Sequence, residues 1–207
     1  MTQMDPITIL FGNPAKVKLL RYFLFNPNKI DTFDEISKRS KLVRRTARTE
    51  MNILEKANIV KKRTIHEQVG DEKIEQEGYF LNKAFPYLNP LRTFMFETAP
   101  INGKTVLQHL RTAGHIDFLV VAGVFVDQYE QRLDVMVALK KYDEESVKKS
   151  MRSLEAELGL DIRFTAMSTD DLIYRISMND RLVRDVLDYD HIVVVDKASI
   201  ENEIMTY

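Results

Sequence analysis

Arg44, Arg45 and Arg48, followed by Thr49 and Asn52, are the densest set of chemically competent side chains in this sequence. A guanidinium fork matches the paired acceptors of a phosphate or of a guanine edge. The five lie in SKLVRRTARTEMNILEKANIV, residues 40–60, where Leu42, Ala47, Met51, Leu54 and Ala57 fall on one side of a helix and the turn before it. The last four follow i, i+4, i+7, i+10 spacing, which suits a stripe facing a core. The polar five fall largely outside that stripe. No acid precedes Glu50 in this helix, although a helix N-terminus favours acids. A polyanion lying against the arginines accounts for that choice; a solvated helix face is the plain alternative.

Just upstream, Thr32 and Glu35 form a capping box that opens a short helix with Ile36 inward. A helix, a tight turn at 40–42 and an arginine-led helix over about 43–57 make the helix-turn-helix layout. This stretch resembles the winged-helix repressors of the arsenic-sensor type, whose recognition segment ends in L-x-x-L-x-x-A-G-L-V. Met51, Leu54, Ala57, Asn58, Ile59 and Val60 stand at those places. Asn58 replaces Gly and also tolerates the left-handed cap conformation. Val43 replaces the usual polar N-cap. The resemblance implies a sequence-specific regulator of transcription that binds double-stranded DNA in the major groove through Lys41, Arg44, Arg45, Arg48, Thr49 and Asn52. After Val60 the pattern turns to strands, VKKRTIH and KIEQEGYFLN, joined by a turn at 69–72: a hairpin, the wing. Lys61, Lys62 and Arg63 on its first strand suit phosphate contact. Asp71, Glu72, Glu75 and Glu77 keep its tip out of a groove.

The net charge of −1 hides an asymmetry. Residues 1–65 hold 14 Lys+Arg against 6 Asp+Glu, and residues 66–207 hold 16 against 25. A basic module on an acidic body reads as a nucleic-acid head with a non-binding partner domain.

The second constellation is Gly123 and Asp134, in GVFVDQYEQRLDVM. An apolar strand ending in Gly, a loop, and a strand bearing Asp resemble the minimal nucleotidyltransferases. In that family Gly-Ser lets backbone N–H groups approach phosphate, and an Asp-x-Asp with a third carboxylate holds two divalent ions. Here Val124 stands for the Ser, Arg132 for the first Asp, and Asp161 and Arg163 flank the place of the third carboxylate. One sure carboxylate cannot hold two divalent ions. Nearly the whole chain resembles bacterial winged-helix proteins fused to a degenerate domain of this kind, with Gly123, Phe125 and Asp134 matching their G-x-F-x(8)-D signature. That implies a regulator rather than an enzyme. Gly123 and Asp134 then mark a vestigial nucleotide pocket, and the domain serves dimerisation or the sensing of a small-molecule or nucleotide effector. The alternative is a working transferase acting on a protein or nucleic-acid acceptor.

Around these sites the elements follow in order. Residues 1–12 are an apolar lead-in. Asn13 and Pro14 start a helix with Val17, Leu20, Phe23 and Leu24 inward. Asn89 and Pro90 repeat that start for a helix LRTFMFET, and another helix runs over about 104–113. Then come an apolar strand 117–126, a strand 133–139, a helix capped by Asp143 and closed by Gly159, an alternating strand from Leu160 to Ala166, helices after Ser168 and from Arg181, and the strand HIVVVD. The expected fold is α+β with two domains: a winged helix-turn-helix over 1–85, a linker and helix over 86–102, and over 103–207 a nucleotidyltransferase-like domain with a small mixed sheet. Large apolar residues at 14–26 and 90–97 (Leu24, Phe25, Phe94, Met95, Phe96) are expected at a homodimer interface.

The absence of cysteine rules out disulfides and thiolate sites, which fits the cytoplasm. Residues 1–15 lack the basic start of a signal peptide. No apolar run approaches the roughly 20 residues of a membrane span. His66, His109, His115 and His191 are scattered, so neither a metal nor a cofactor is expected.

Overall fold

Asn13 starts the first long helix as its residue type requires. In the computed structural model, which describes residues 6–69, 72–197 and 200, its side-chain oxygen accepts from the Ala15 N–H at 2.9 Å, and Pro14 takes the first helical position. This helix, α2 (Pro14–Phe25), is preceded by α1 (Pro6–Phe11). The lead-in is thus itself partly helical, over six residues that are too few to show a period. The capping box forms in full. The Thr32 N–H donates to Glu35 Oε2 at 2.7 Å and the Glu35 N–H donates to Thr32 Oγ1 at 3.3 Å, opening α3 (Phe33–Arg39). Lys41 takes a positive φ of 50° in the turn, and Ser37 Oγ donates to the Leu42 carbonyl. Then α4 (Arg44–Lys56) begins after Val43 with no side-chain cap, and Asn58 turns the chain out at φ 59°.

Strands β2 (Val60–Val69) and β3 (Glu72–Leu81) pair antiparallel, as expected for the hairpin. Gly70 and Asp71 of its turn lie outside the described residues. A third strand, β1 (Ile30–Thr32), pairs antiparallel with residues 78–80 of β3, giving the order β1-β3-β2. Helix α5 (Leu88–Glu97) starts one residue before the expected Asn89 cap, after Tyr87, which makes no side-chain cap bond. Pro90 therefore sits within the first turn, where a missing N–H costs no helical hydrogen bond.

The chain divides into two compact units, residues 1–99 with 155–160 and residues 100–154 with 161–207. The core of the first gathers Leu20 and Leu24 of α2, Ile36 of α3, Met51 and Leu54 of α4, Tyr79 and Leu81 of β3, and Met95 of α5. Helix α5, the helix expected within residues 86–102, is therefore part of this unit, held by Met95. Leu24 and Met95, expected at a dimer interface, are buried in the unit's own core, and Phe25 packs edge-on against Phe96. Ile9, Leu10 and Phe94 stay exposed.

The second unit begins with α6 (Gly103–Leu110), capped by Asn102. Its sheet is built from β4 (Ile116–Val121), β5 (Val135–Leu139), β6 (Phe164–Ser168) and β7 (Ile192–Asp196), in the order β6-β5-β4-β7. Only β5 and β6 run parallel. Helix α7 (Glu144–Leu158) joins β5 to β6; α8 (Thr169–Ser177) and α9 (Arg181–Leu187) lead to β7. Phe118, Val120, Met136 and Ala138 meet Leu172, Val183 and Val186 on one face, while Leu119, Val121, Val135 and Val137 of the other face are equally buried. Burial on both faces explains the unbroken apolar run of β4. That strand ends at Val121 rather than Val126, because Gly123 at φ 51° opens a 3-10 turn over 123–126. The third strand likewise starts at Phe164, not Leu160. The described residues make a mixed α+β protein of nine α-helices and two small sheets. No helix among them is long and apolar enough to cross a membrane.

Candidate functional site

Helix α4 is fixed by what lies beneath it. Ala47, Met51 and Leu54 are buried, as their spacing predicts, whereas Ala57 of the same stripe is exposed, because it is the C-cap where the helix ends. Glu50, the first acid of the helix, also points inward: Asn13 Nδ2 donates to its Oε1 at 2.6 Å, and Lys16 Nζ lies 3.8 Å from Oε2. One asparagine thus caps α2 with its oxygen and ties α4 to it with its nitrogen.

The arginines of α4 separate into two kinds. The Arg48 guanidinium stacks 3.8 Å from the centroid of the Phe33 ring, and its Nη1 donates to Tyr79 Oη at 3.0 Å. Tyr79 Oη in turn donates to Glu77 at 3.2 Å. Burial, more than any charge near it, pushes the Tyr79 phenol above its usual range, so it stays protonated and able to donate. Arg44 pairs with Asp34 at 2.6 Å and lies 5.6 Å from the same Phe33 ring. Together Phe33, Arg44, Arg48, Glu77 and Tyr79 line a cavity of about 290 Å³ beside the helix. Arg45 differs: it is exposed, and neither an ion pair nor a side-chain hydrogen bond engages it among the described residues. Thr49 and Asn52 are exposed next to it, and at about 100° per residue Arg45, Thr49, Asn52 and Lys56 fall within one narrow arc of the helix. Thr49 Oγ1 donates back to the Arg45 carbonyl at 3.1 Å. Lys41 is exposed in the turn that leads into this arc.

The hairpin cations Lys61, Lys62 and Arg63 do not share one face of the strand. Strand alternation puts Lys62 on the face of its cross-strand partner, the buried Tyr79, and Lys61 and Arg63 on the opposite face. Lys62 Nζ sits 3.2 Å from Glu77 and 3.9 Å from Glu55 of α4. The bond from Glu77 raises the lysine above its ordinary value, and Lys62 holds the Glu77 carboxyl below its own. Arg63 lies 5.7 Å from the Phe80 ring. Lys61 is exposed.

In the second unit Gly123 and Asp134 form a closed tie rather than an open pocket. Asp134 is fully buried. Its Oδ1 accepts from the Val124 N–H at 3.0 Å and from Arg163 Nη2 at 2.9 Å; its Oδ2 accepts from the Arg163 N–H at 2.8 Å and from Nε at 3.0 Å. The Gly123 N–H, which a phosphate would need, donates to Gln131 Oε1 at 2.7 Å. A Cβ at position 123 would overlap Asp134 Oδ1, so the glycine is required by the carboxylate behind it. Arg132, in the place of the first metal-binding Asp, pairs with Asp185 on α9. With four donors on one carboxylate, Asp134 has no lone pair to give a metal. Among the described residues no group of three or more His, Asp or Glu is placed to hold a metal ion. An open cleft of about 720 Å³ lies nearby, lined by Gln128, Gln131, Arg132, Arg181, Asp185 and Tyr189 among others. Phe33, Tyr79 and Glu77 are the site residues that sequence spacing does not disclose. Lys56 was in reach of it, four residues beyond Asn52. No family model matches the chain, and no curated protein matches it.

Proposed function

We propose that the first unit is a winged helix that binds double-stranded DNA in a sequence-specific way and regulates transcription. Helix α4 enters the major groove, and the β2–β3 hairpin lies beside it. The observation that carries this reading is the outward arc of α4. Arg45, Thr49, Asn52 and Lys56 are exposed together on the side of the helix away from the buried Ala47, Glu50, Met51 and Leu54. A helix of this kind fits a major groove about 12 Å wide. The excess of Lys and Arg over residues 1–65 supports it. The second unit is then a non-catalytic body with a degenerate nucleotidyltransferase-like layout, acting in dimerisation or effector sensing in the cytoplasm. The occupied Asp134 carboxylate and Gly123 N–H weigh against transferase chemistry there. Two copies would read two half-sites spaced about one helical turn apart.

Selection of the full-length protein on a random duplex library tests this. Enrichment of one motif with paired half-sites is expected. Equal affinity for the selected pool and the starting pool would sink the proposal.

A further inference from the structure

Resting on that DNA-binding reading, the geometry points to Arg45 and Asn52 as the base readers, and to Arg44 and Arg48 as residues that position the helix without reading a base. Arg48 spends its guanidinium on the Phe33 face and the Tyr79 hydroxyl, and Arg44 is paired to Asp34. Arg45 and Asn52 have neither tie among the described residues, and seven residues, about two turns, separate them. An arginine fork matches the O6 and N7 acceptors of guanine, and an asparagine amide matches N6 and N7 of adenine. Between them Thr49 has its hydroxyl bonded back to the Arg45 carbonyl, and the methyl group of its side chain suits the methyl of thymine. Seven residues of helix rise about 10 Å, close to three base-pair steps of about 3.4 Å. The ligand is therefore duplex DNA whose half-site carries a guanine and an adenine about three base pairs apart, with a thymine between them.

The test repeats the library selection with full-length wild type and with R45K, N52A and R48A, after thermal melts show each variant folded. Lysine keeps the charge of Arg45 and loses its fork. Wild type is expected to select the guanine and adenine columns. R45K should lose the first column and N52A the second, each with about a tenfold or greater loss on the selected site. R48A should keep both columns and weaken all sequences alike. The slope of affinity against salt should stay unchanged in R48A, because a phosphate contact removed would lower it by about one. A wild-type motif that survives R45K and N52A intact overturns the assignment while DNA binding stands. Loss of a column in R48A overturns its positioning role. A wild type that selects nothing removes the DNA-binding reading as well.

Discussion

The guanidinium of Arg48 lies over the ring of Phe33, 3.8 Å from its centroid, while its Nη1 donates to Tyr79 Oη. Three elements meet in that contact: the first residue of α3, the second turn of α4 and the end of β3 that pairs with β1. Replacing Phe33 with Leu keeps most of the apolar burial and removes the ring face. The expected loss of stability is about 1–2 kcal/mol, from a stacked cation of about 0.5–2 kcal/mol plus a small repacking cost. Urea unfolding measures it. Affinity for all duplexes should fall by the same factor, since no base contact changes. An unchanged unfolding midpoint would show that the stacking carries no weight.

Arg163 and Asp134 should respond unequally to removal. Asp134 is fully buried, whereas the Arg163 side chain is 43% exposed. Removing Arg163 leaves an ionised carboxylate buried with two backbone donors, so R163A is expected to cost about 3–5 kcal/mol. D134N leaves a cation that can turn to water, and costs about 1–3 kcal/mol from imperfect bonds to the Val124 and Arg163 N–H groups. Denaturant melts of the two variants give the order, and a larger loss in D134N than in R163A contradicts it.

Asp143 caps α7 by accepting from the Ser146 N–H at 3.1 Å. Its hydrogen bonds with Ser146, side chain first and then backbone, hold its carboxyl below the usual aspartate range. A lowered folded-state value means stability that is fully present above the ordinary aspartate range and is lost as pH falls through the lowered value. Asn at 143 keeps the cap and does not titrate. The stability difference between wild type and D143N should be constant above about pH 5 and shift against wild type below it. Parallel curves through the acid range would rule out this linkage.

Magnesium and nucleoside triphosphates at millimolar concentration should neither raise the melting temperature nor give transfer to protein or RNA acceptors. Asp134 has no free lone pair, and the Gly123 N–H is taken by Gln131. Labelling that disappears in D134A would reverse this.

Local chemistry made much of the fold legible. Asn13-Pro14, Thr32 with Glu35, Asp143 and Ser168 with Asp171 each start a helix where the sequence places it, because a cap acts within three residues. Strand β1 could not be read: three residues show no alternation, and their partners lie near residue 79. The apolar run to Val126 hid the end of β4, since composition does not register the positive φ of Gly123. At the site, spacing placed Ala47, Met51 and Leu54 inward but put Ala57, the exposed C-cap, on the same stripe, and it could not separate Arg45 from Arg48. That distinction depends on Phe33 and Tyr79, 15 residues before Arg48 and 31 after it.

Strand β1 covers only residues 78–80 of β3, although β2 and β3 stay paired from Val60–Leu81 to Val69–Glu72. Beyond Gly78 the sheet narrows from three strands to two, and the six residues 72–77 span about 20 Å. A two-stranded ribbon is marginal alone and coils more strongly than a wider sheet. The root of the ribbon is held on two sides, by pairing with the third strand and by Lys62, whose Nζ lies 3.2 Å from Glu77 and 3.9 Å from Glu55 of α4. The angle between the hairpin and α4 is therefore set at that root, by contacts that residues 72–76 of β3 do not share.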